Sequence, residues 1–416
     1  MKPALYPCKK TFTNYLGRIF FGTVAPVLLL MAFSACTEQE EVSPEEKFVR
    51  VYHDGDLDKE FYPLELERGL QNGYLMLSAR NIRESDFEGI HVMKTDLGGN
   101  LQWSVEVPGD YVAAVPALLE FNAGMYFFCM DRLGLGTMLM RIDEQTQEVV
   151  PERYFGEVTY PLAASVTPDG NLLLLGYDRE KGRSTFAKIS SSFNIAWQED
   201  YDMQEDIEAE IITHLSSPRE RLPFFTGVAE DGKYFFNGFF DFTLSVGFVN
   251  PADGSMEGVI HGFRRSGAIS ALQPLEAGRF ALARYAFGKN YIFPGVDINT
   301  SGTNSSEQFD GFELPELVAD AQTRLCRVNV AGKRLVVFAS NAKSNQVVLY
   351  AYDEATGEFT GTHATGFNDE LQVADILPTS DRGIAIYASS QVAGRFPRPA
   401  FFKISPDETA ALAGVE

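Results

Sequence analysis

The sequence predicts an all-β fold built from one repeating unit, and three observations carry this prediction. A turn residue and a glycine, followed by an apolar run typical of a strand, occur seven times. The seven glycines are spaced by 46 to 62 residues. A second element, made of a strand, a turn and another strand, follows most of them. Short β-branched and aromatic strands at a period near 50 residues are typical of propeller blades.

The first element of the repeat is a glycine turn ahead of a strand. Its copies are NGYLML (72 to 77), AGMYFF (123 to 128), DGNLLLL (169 to 175), DGKYFF (231 to 236), AGRFAL (277 to 282), AGKRLVV (331 to 337) and RGIAIY (382 to 387). Seven copies predict a single β-propeller of seven four-stranded antiparallel blades, with six or eight blades as alternatives. FVRVYH (48 to 53) precedes the first full repeat and is predicted to close the last blade, which leaves few free strand edges.

The second element aligns the two tryptophans of the chain. Trp103 and Trp197 each stand seven residues after the first residue of the turn, with Asn100 and Asn194 at its fourth position. We therefore expect each indole to lie on a strand after a tight turn and to pack against a neighbouring blade. Truncation of a buried aromatic side chain typically costs about 3 to 5 kcal/mol. The two Trp→Ala variants should then destabilise the ring by similar amounts.

The amino-terminal 35 residues have the layout of a signal peptide. Residues 1 to 18 contain four positive charges and no acid, and residues 19 to 35 are uncharged. A membrane-spanning helix needs about 20 apolar residues. This run has 17 and is interrupted by Gly22 and Pro26. Residues 1 to 35 are therefore predicted to be a secretory signal peptide rather than a permanent span.

The residues around Cys36 resemble those of a bacterial lipoprotein. FSAC (33 to 36) is similar to the lipobox, in which the cysteine is acylated, although Phe33 stands where the family usually has an aliphatic residue. The resemblance implies a lipid anchor on Cys36, with a plain secreted protein as the alternative. The acids in residues 38 to 41 resemble the export tag of Bacteroidota surface lipoproteins, which implies the cell surface of the outer membrane. A periplasm-facing anchor is the alternative. Residues 36 to 47 also have the composition of a flexible acidic tether.

Two turns resemble those of bacterial propeller repeats. AYDEATGEF (351 to 359) looks like the D-x-x-T-G turn of quinoprotein-type blades, and KTDLGGNLQW (94 to 103) like the Gly-Asn-x-x-Trp turn of bacterial surface propellers. The resemblance covers residues of about 60 to 416. Residues 48 to 416 are accordingly predicted to form the propeller domain.

Charge and cysteine usage exclude some functions. Loss of the leader moves the formal net charge from -22 to -26, since four positive charges leave with it. A domain this acidic repels phosphate backbones, so no nucleic-acid partner is predicted. Cys129 and Cys326 lie in apolar runs far apart in sequence, so we expect two buried free thiols.

The longest interval contains a predicted helix. In residues 203 to 222, Ile207, Ile211 and Leu215 recur every four residues with acids near the start, which is typical of a short amphipathic helix. The helix is either a structural insertion packed on the rim of the propeller or an element that docks a partner.

A polar loop replaces the second element of the fifth repeat at residues 294 to 316. Its oxygen-bearing side chains are candidates for binding calcium or sugar hydroxyls, because hard cations take oxygen ligands. These candidates are Asp297, Asn299, Asn304, Glu307 and Asp310. A solvated loop without a ligand is the alternative. In that case the loop adds no contact to the blades, and deletion of residues 300 to 306 should cost little stability.

A weaker calcium pattern lies near the start of the domain. Asp54, Asp56, Asp58 and Glu65 have the spacing of a calcium loop, but Lys59 occupies the position that needs glycine, so an acidic surface turn is the alternative. No zinc motif, nucleophile elbow, phosphate loop or nicotinamide fingerprint is present. The sequence therefore assigns no catalytic residue, no metal site and no cofactor, with calcium kept as an alternative.

Two functional hypotheses follow from these patterns. The first is a non-catalytic binding or scaffold module of the envelope that takes a glycan, a peptide or a partner protein. The second is a propeller enzyme, which can be a hydrolase, a lyase or a quinone-dependent oxidoreductase with its site in the central channel. An enzyme should bring His, Arg, Asp or Glu side chains together on the innermost strands. The side chains that line the channel therefore discriminate between the two.

Overall fold

The structure is a computed structural model that describes residues 46–53, 59–82, 85–262, 267–309, 311–366, 369–392 and 396–415. Cys36, the acidic residues that follow it, Asp54, Asp56, Asp58 and Asp310 lie outside the described residues. Within the described part, the strands form seven sheets that are the blades of a β-propeller, as the sequence predicted.

The first three blades follow β1 (Phe48–Val51), which belongs to the last blade. Each blade begins with its innermost strand, and in blade 2 this strand is split in two. Their strands are β2 (Phe61–Arg68), β3 (Tyr74–Arg80), β4 (Gly89–Thr95) and β5 (Leu101–Glu106) in blade 1; β6 (Tyr111–Val112), β7 (Leu119–Phe121), β8 (Gly124–Asp131), β9 (Gly136–Asp143) and β10 (Glu148–Thr159) in blade 2; β11 (Ala163–Val166), β12 (Leu172–Asp178), β13 (Arg183–Ile189) and β14 (Ile195–Tyr201) in blade 3.

Helix α1 (Glu208–Ser216) separates blade 3 from the remaining four blades. Their strands are β15 (Phe225–Val228), β16 (Tyr234–Phe240), β17 (Thr243–Val249) and β18 (Met256–His261) in blade 4; β19 (Gly267–Pro274), β20 (Arg279–Ala286), β21 (Lys289–Asp297), β22 (Thr303–Ser305) and β23 (Phe312–Glu313) in the fifth repeat; β24 (Arg324–Val330), β25 (Lys333–Asn341), β26 (Val347–Asp353) and β27 (Phe359–Thr365) in blade 6; β28 (Leu371–Pro378), β29 (Ile384–Val392) and β30 (Phe396–Ile404) in blade 7. Helix α2 (Pro406–Leu412) follows, and 3-10 turns occupy Glu276–Gly278 and Ser306–Gln308.

The predicted glycine turns connect the first and second strands of the blades. Asn72 and Gly73 both have positive φ angles, 64° and 73°, and glycine adopts such angles without a steric penalty. In blades 2 and 7 the residue before the glycine, Ala123 or Arg382, takes a positive φ instead. The repeat pattern in the sequence therefore marks one defined corner of each blade.

The ring closes through the first strand of the chain. β1 pairs antiparallel with β30, with Phe48 opposite Lys403 and Val51 opposite Ala400. This strand completes blade 7 and covers its outer edge, which confirms the closing role predicted for FVRVYH. Closure removes an edge that would otherwise be open to pairing with another chain.

Apolar cores lie between neighbouring blades. Leu75 and Leu77 of blade 1 pack in one cluster with Phe127 and Met140 of blade 2. Burial of such side chains contributes about 25 cal/mol for each Å² of apolar surface removed from water. Each blade therefore depends on its neighbours. Cys129 and Cys326 are buried free thiols, as predicted.

Both tryptophans lie where the repeat predicted. Trp197, on β14, donates its indole N–H to the carbonyl oxygen of Pro251 at 3.1 Å and stacks on Tyr234, both in or beside blade 4. Trp103, on β5, packs against the core shared by blades 1 and 2. Each indole is half-buried.

The ring has two different faces. Adjacent strands of a blade are antiparallel, so the start of each inner strand lies on the same side as the connection between the second and third strands. We call this side the mouth face and the opposite side, which carries the glycine turns, the turn face. β1 begins opposite Lys403, close to the end of β30, so the chain joins the propeller on the turn face. There Lys47 forms a 2.9 Å ion pair with Glu408 of α2.

Candidate functional site

The polar loop of the fifth repeat connects two blades. Its strand β22 pairs in parallel with β18, the outer strand of blade 4, with Val259 opposite Thr303 and His261 opposite Ser305. Lys233 of blade 4 also donates to the hydroxyls of Thr300 and Ser301. The expectation that residues 300 to 306 add no blade contacts is therefore wrong, because this segment adds a fifth strand to blade 4.

The candidate ligand residues in this loop serve mainly its own hydrogen bonds. The Asn304 side-chain amide donates to the carbonyl oxygen of Asn299 at 3.0 Å, and the Asn299 side chain accepts from the Ser301 amide at 3.1 Å. Asp297 and Glu307 are exposed. Among the described residues, no group of three or more His, Cys, Asp or Glu side chains could hold a metal ion. Because Asp310 lies outside that set, calcium or sugar binding by this loop stays a prediction.

The insertion between blades 3 and 4 forms the predicted amphipathic helix. Ile211 and Leu215 of α1 are buried in a cluster with Leu162 and other residues of the adjoining blades. His214 is also buried, and its Nδ1 accepts a hydrogen bond from the Leu222 amide at 2.8 Å. Burial holds the pKa of His214 well below its usual value, and the nearby Arg221 lowers it further. This histidine is therefore neutral and holds the segment after the helix in place.

The segment after α1 reaches the mouth of the channel rather than the rim. Arg221 forms an ion pair with Glu88 of the β3–β4 connection, and its carbonyl oxygen accepts a hydrogen bond from Gln322 ahead of blade 6. Burial raises the pKa of Glu88, and the Arg221 guanidinium opposes this rise. The insertion thus links three separate parts of the ring across the mouth face. No described helix is long and apolar enough to cross a membrane.

Two cavities open where this segment meets the inner strands. The outer cavity has a volume of about 280 Å³, and Tyr62, Gln372 and Ser389 are part of its wall. The inner cavity has a volume of about 210 Å³, and Glu65 and Asp375 are part of its wall. Arg221, Gln322 and Arg324 line both. These volumes are near or below the lower end of the range usual for small-molecule sites, about 300 to 1,000 Å³.

Seven equivalent residues of the repeats surround the inner cavity. Each stands eight residues before the glycine of its repeat, and all seven line this cavity. In blade order they are Glu65, Pro116, Leu162, Phe224, Ser270, Arg324 and Asp375. We call this set the channel ring. Glu65, Arg324 and Asp375 are its charged arc, and Pro116, Leu162 and Phe224 are its apolar arc.

Hydrogen bonds hold two members of the charged arc. The Asp375 carboxylate accepts from the amides of Leu66 at 3.1 Å and Ile376 at 2.7 Å. Arg324 donates its Nε–H to the carbonyl oxygen of Ala374. The terminal nitrogens of Arg324 and the carboxylate of Glu65 have no hydrogen-bond partner among the described residues, and both residues line the cavity. These are polar groups available to a ligand.

The charged arc has shifted protonation equilibria. Water reaches the Glu65 carboxylate through the channel, but protein surrounds it, and this burial raises its pKa well above the usual range, with Asp375 adding to the rise. Burial also raises the pKa of Asp375 to about 7, although backbone amides and Arg324 oppose the shift. Burial lowers the pKa of Arg324. Two carboxyl groups with raised pKa values therefore lie beside one cation, and that of Asp375 is about 7.

Sequence reasoning missed the charged arc, although a signal was present. Residues 65, 324 and 375 are too far apart to form a linear motif, and two of them lie in strands that contain other charged residues, Glu67 in β2 and Arg327 in β24. Counting back from the glycine of each repeat places all three at one position, where a buried strand should be apolar. A charged residue at such an inner position indicates the wall of the channel.

Comparison with known proteins identifies the fold but no family. No protein-family model and no curated protein matches the chain. The Dos1 propeller matches with a TM-score of 0.50 at 8% identity, over 86% of this chain and 95% of that one. Sqt1 from Chaetomium thermophilum matches with a TM-score of 0.48 at 9% identity, over 82% of this chain and 84% of that one. The propeller domain of the Trilobed protease from Pyrococcus furiosus matches with a TM-score of 0.45 at 12% identity, over 86% of this chain and 98% of that one. At such identities, the match to the Dos1 propeller supports the fold alone.

Proposed function

We propose that the protein is a lipid-anchored binding module of the bacterial envelope that takes its ligand at the mouth of the propeller channel. The observation that carries this proposal is the pair of cavities on the mouth face, where the Arg324 terminal nitrogens and the Glu65 carboxylate have no partner among the described residues. Buried polar groups normally have partners, so groups left open in a cavity favour a ligand. The ligand is a glycan, a peptide or a partner protein.

The position of the tether agrees with this proposal. A tether that ends at residue 47 joins the propeller on the turn face, where Lys47 contacts Glu408. The segment that carries Cys36 therefore enters the propeller on the face opposite the mouth. Acylation contributes about 0.8 kcal/mol for each methylene buried in the bilayer, so several chains anchor a protein stably.

Photocrosslinking on intact cells tests the binding site. A benzoylphenylalanine at Gln372, which is exposed at the mouth, should give a defined product, and the product should disappear when Arg324→Gln is added. The matched control is the same probe at Arg382, exposed on the turn face. Identical products from both positions, or a Gln372 product that survives Arg324→Gln, would contradict binding at the mouth.

Cell fractionation tests the anchor. Because the Cys36 thiol is the acylated group, Cys36→Ser should move the protein from the membrane to the soluble fraction. Equal membrane retention of the variant and the wild type would reject the lipoprotein assignment. Alanine at Glu38, Glu40 and Glu41 should preserve the anchor and reduce protease accessibility on whole cells. Unchanged accessibility would leave these acids as a tether only.

A propeller enzyme is the second candidate, and the charged arc favours it. Glu65 and Asp375 share a cavity with Arg324, and a carboxyl group with a pKa of about 7 suits general acid–base chemistry at neutral pH. A hydrolase or lyase should lose turnover of polysaccharide or peptide substrates in Glu65→Gln and in Asp375→Asn. Turnover that is absent in the wild type, or equal in the variants, would leave binding as the function. A quinone-dependent oxidoreductase has less support, since only two repeats carry the tryptophan turn.

A further inference from the structure

The channel ring has two chemically different halves around one small cavity. Arg324 lines the inner cavity on the side of the charged arc, and the half-buried Pro116 and Phe224 line it on the side of the apolar arc. Ser270 lies between the arcs on one side, and Glu65 adjoins Pro116 on the other. A ligand in this cavity therefore meets a cationic donor and apolar carbon at the same time.

We propose that the inner cavity binds a carboxylate borne on an apolar residue, and that binding takes up a proton at the charged arc. Arg324 binds the ligand carboxylate, and Phe224, which is half-buried, contacts the apolar side chain. The ligand is either a free acylated amino acid or the carboxyl terminus of a peptide, which share this chemistry. The inference rests on the binding function proposed above, since it names the ligand class of the same site.

Arg324 suits a carboxylate because its donors are fixed and unpaired. The Nε–H bond to the Ala374 carbonyl oxygen positions the guanidinium, and Arg324 lines the cavity with terminal nitrogens that have no partner among the described residues. A guanidinium binds a carboxylate through two parallel hydrogen bonds, and such charge-assisted bonds are stronger than neutral ones. Arg221, which also lines the cavity, is already paired with Glu88.

The apolar arc suits an aliphatic or aromatic side chain. Leu162 and Phe224 are held by the insertion, since His214 meets the Phe224 ring at 4.7 Å between centroids and Leu162 lies in one cluster with Ile211. A preformed apolar wall removes the cost of ordering these side chains when a ligand binds. Burial of an additional aliphatic side chain contributes about 1.5 to 3 kcal/mol, which is tenfold or more in affinity.

The carboxyl groups beside Arg324 couple binding to pH. Glu65 and Asp375 lie close to Arg324, and Glu67 on β2 adds negative charge near both. The other titratable groups that face this site are Arg221, which lines the cavity and lowers the pKa of Arg324, Cys326, whose pKa burial raises, and the neutral His214. A ligand carboxylate repels ionised Glu65 and Asp375, so it favours their protonated forms. An α-carboxyl group has a pKa of about 3.5 and stays ionised above pH 5, so affinity should fall as pH rises from 5.5 to 8.

Isothermal titration of the purified full chain tests the proposal with four small probes. N-acetylleucine should bind, whereas N-acetylleucinamide and N-acetylglycine should each bind about tenfold more weakly or worse. Glucuronate, a polar carboxylate, should bind no better than N-acetylglycine. Titrations in two buffers of different ionisation enthalpy should reveal proton uptake. Equal binding of acid and amide, tighter binding of glucuronate, or no binding of N-acetylleucine would overturn the proposal.

Two peptide probes separate the sources of the ligand. If acetyl-Ala-Ala-Leu with a free carboxylate binds more tightly than N-acetylleucine, the site takes a peptide terminus. Weaker binding of the peptide assigns a free acylated amino acid. The peptide amide should fail in either case, and a peptide amide that binds as well as the peptide acid would overturn the role of Arg324.

Variants of the charged arc test whether its residues bind N-acetylleucine. Arg324→Gln should weaken N-acetylleucine binding about tenfold or more, and Arg324→Lys, which keeps the charge without the planar fork, should lose part of the affinity. Glu65→Gln should flatten the pH dependence of binding. The matched control is Arg334→Gln, which removes a surface arginine paired with Glu276 outside the channel. Unchanged binding by Arg324→Gln would reject the assignment. Gln372 crosslinks that depend on Arg324, in a protein that binds no N-acetylleucine, would reject the ligand class and keep the proposed binding function.

Discussion

The charged and apolar arcs occupy equivalent positions of one repeat, yet their surroundings differ. Helix α1 covers the apolar arc, since Leu162 lies in one cluster with Ile211 and Phe224 meets His214. The charged arc is left beside the outer cavity at the mouth of the channel, the mouth cavity, which Arg324 also lines. The comparison teaches that one insertion, placed between two blades, buries Leu162 in the core and leaves Phe224 and the charged arc half-buried beside the inner cavity.

Strand irregularity marks the two carboxylates of the charged arc, whereas β24, which begins at Arg324, pairs without a shift. The pairing of β2 with β3 shifts register between Pro63 and Glu65, and that of β28 with β29 shifts between Val373 and Asp375. The inner strands β11 and β15, beside the apolar arc, pair without a shift. Bulges bend a strand and redirect its side chains, and they often occur next to functional sites. Each bulge here directly precedes a carboxylate of the charged arc.

The largest expected effect lies in the apolar arc. Leu162 is 1% exposed, and Leu→Ala substitutions in a core cost about 2 to 5 kcal/mol. Leu162→Ala should therefore lower the free energy of unfolding by an amount in this range, measured by urea denaturation. Leu133→Ala is the matched control, because Leu133 is 87% exposed and exposed substitutions usually change stability by less than about 0.5 kcal/mol. Similar losses in both would show that α1 does not bury this half of the ring.

The sequence predicts the blades and α1 but not the charged arc, because it shows local patterns and not contacts between distant residues. The blade count, the closing strand and α1 follow from local patterns, namely glycine spacing and four-residue apolar periodicity. The charged arc depends on three residues that become neighbours only when the ring closes. The loop at residues 294 to 316 was misjudged for a similar reason, because β22 pairs with a blade that precedes it in the chain. Local sequence contains no direct sign of such pairing.

The next largest effect is expected in the charged arc and should depend on pH. Arg324→Gln removes the cation whose charge opposes the raised pKa values of Glu65 and Asp375, so it should lower the free energy of unfolding where these groups are ionised. The loss should be smaller at pH 5, below the pKa of about 7 of Asp375, than at pH 8. Urea denaturation at both pH values measures it. Arg334→Gln, which removes an exposed ion pair, should cost less than about 1 kcal/mol at either pH. A loss for Arg324→Gln that is equal at both pH values would contradict the coupling.

A smaller effect tests the carboxyl groups directly. The pKa of Glu65 is raised in the folded state, so the folded protein holds its proton more tightly than the unfolded chain does. Stability contributed by this group is then greatest below the unfolded pKa and falls as pH rises through the interval between the two pKa values. Asp375 behaves in the same way, up to its pKa of about 7. Glu65→Gln should therefore stabilise the protein relative to wild type at pH 8 and not at pH 4. The difference should be smaller than the loss for Arg324→Gln, and a stability difference that does not change with pH would reject the raised pKa.

The smallest expected effect concerns two buried serines beside the charged arc, one whose hydroxyl has no hydrogen-bond partner among the described residues and one whose hydroxyl has a partner. Ser389 of blade 7 is buried and lines the mouth cavity, and its hydroxyl has no hydrogen-bond partner among the described residues. Ser78 of blade 1 is equally buried, but its hydroxyl bonds the Tyr387 hydroxyl at 2.6 Å. Removal of an unsatisfied group is nearly neutral, whereas removal of one partner leaves the other unpaired at a cost of about 1 to 3 kcal/mol. Ser389→Ala should therefore change the free energy of unfolding by less than about 0.5 kcal/mol, and Ser78→Ala should lower it measurably in the same denaturation series. If Ser389→Ala costs as much as Ser78→Ala, the Ser389 hydroxyl is already satisfied and the mouth cavity offers a ligand one donor fewer.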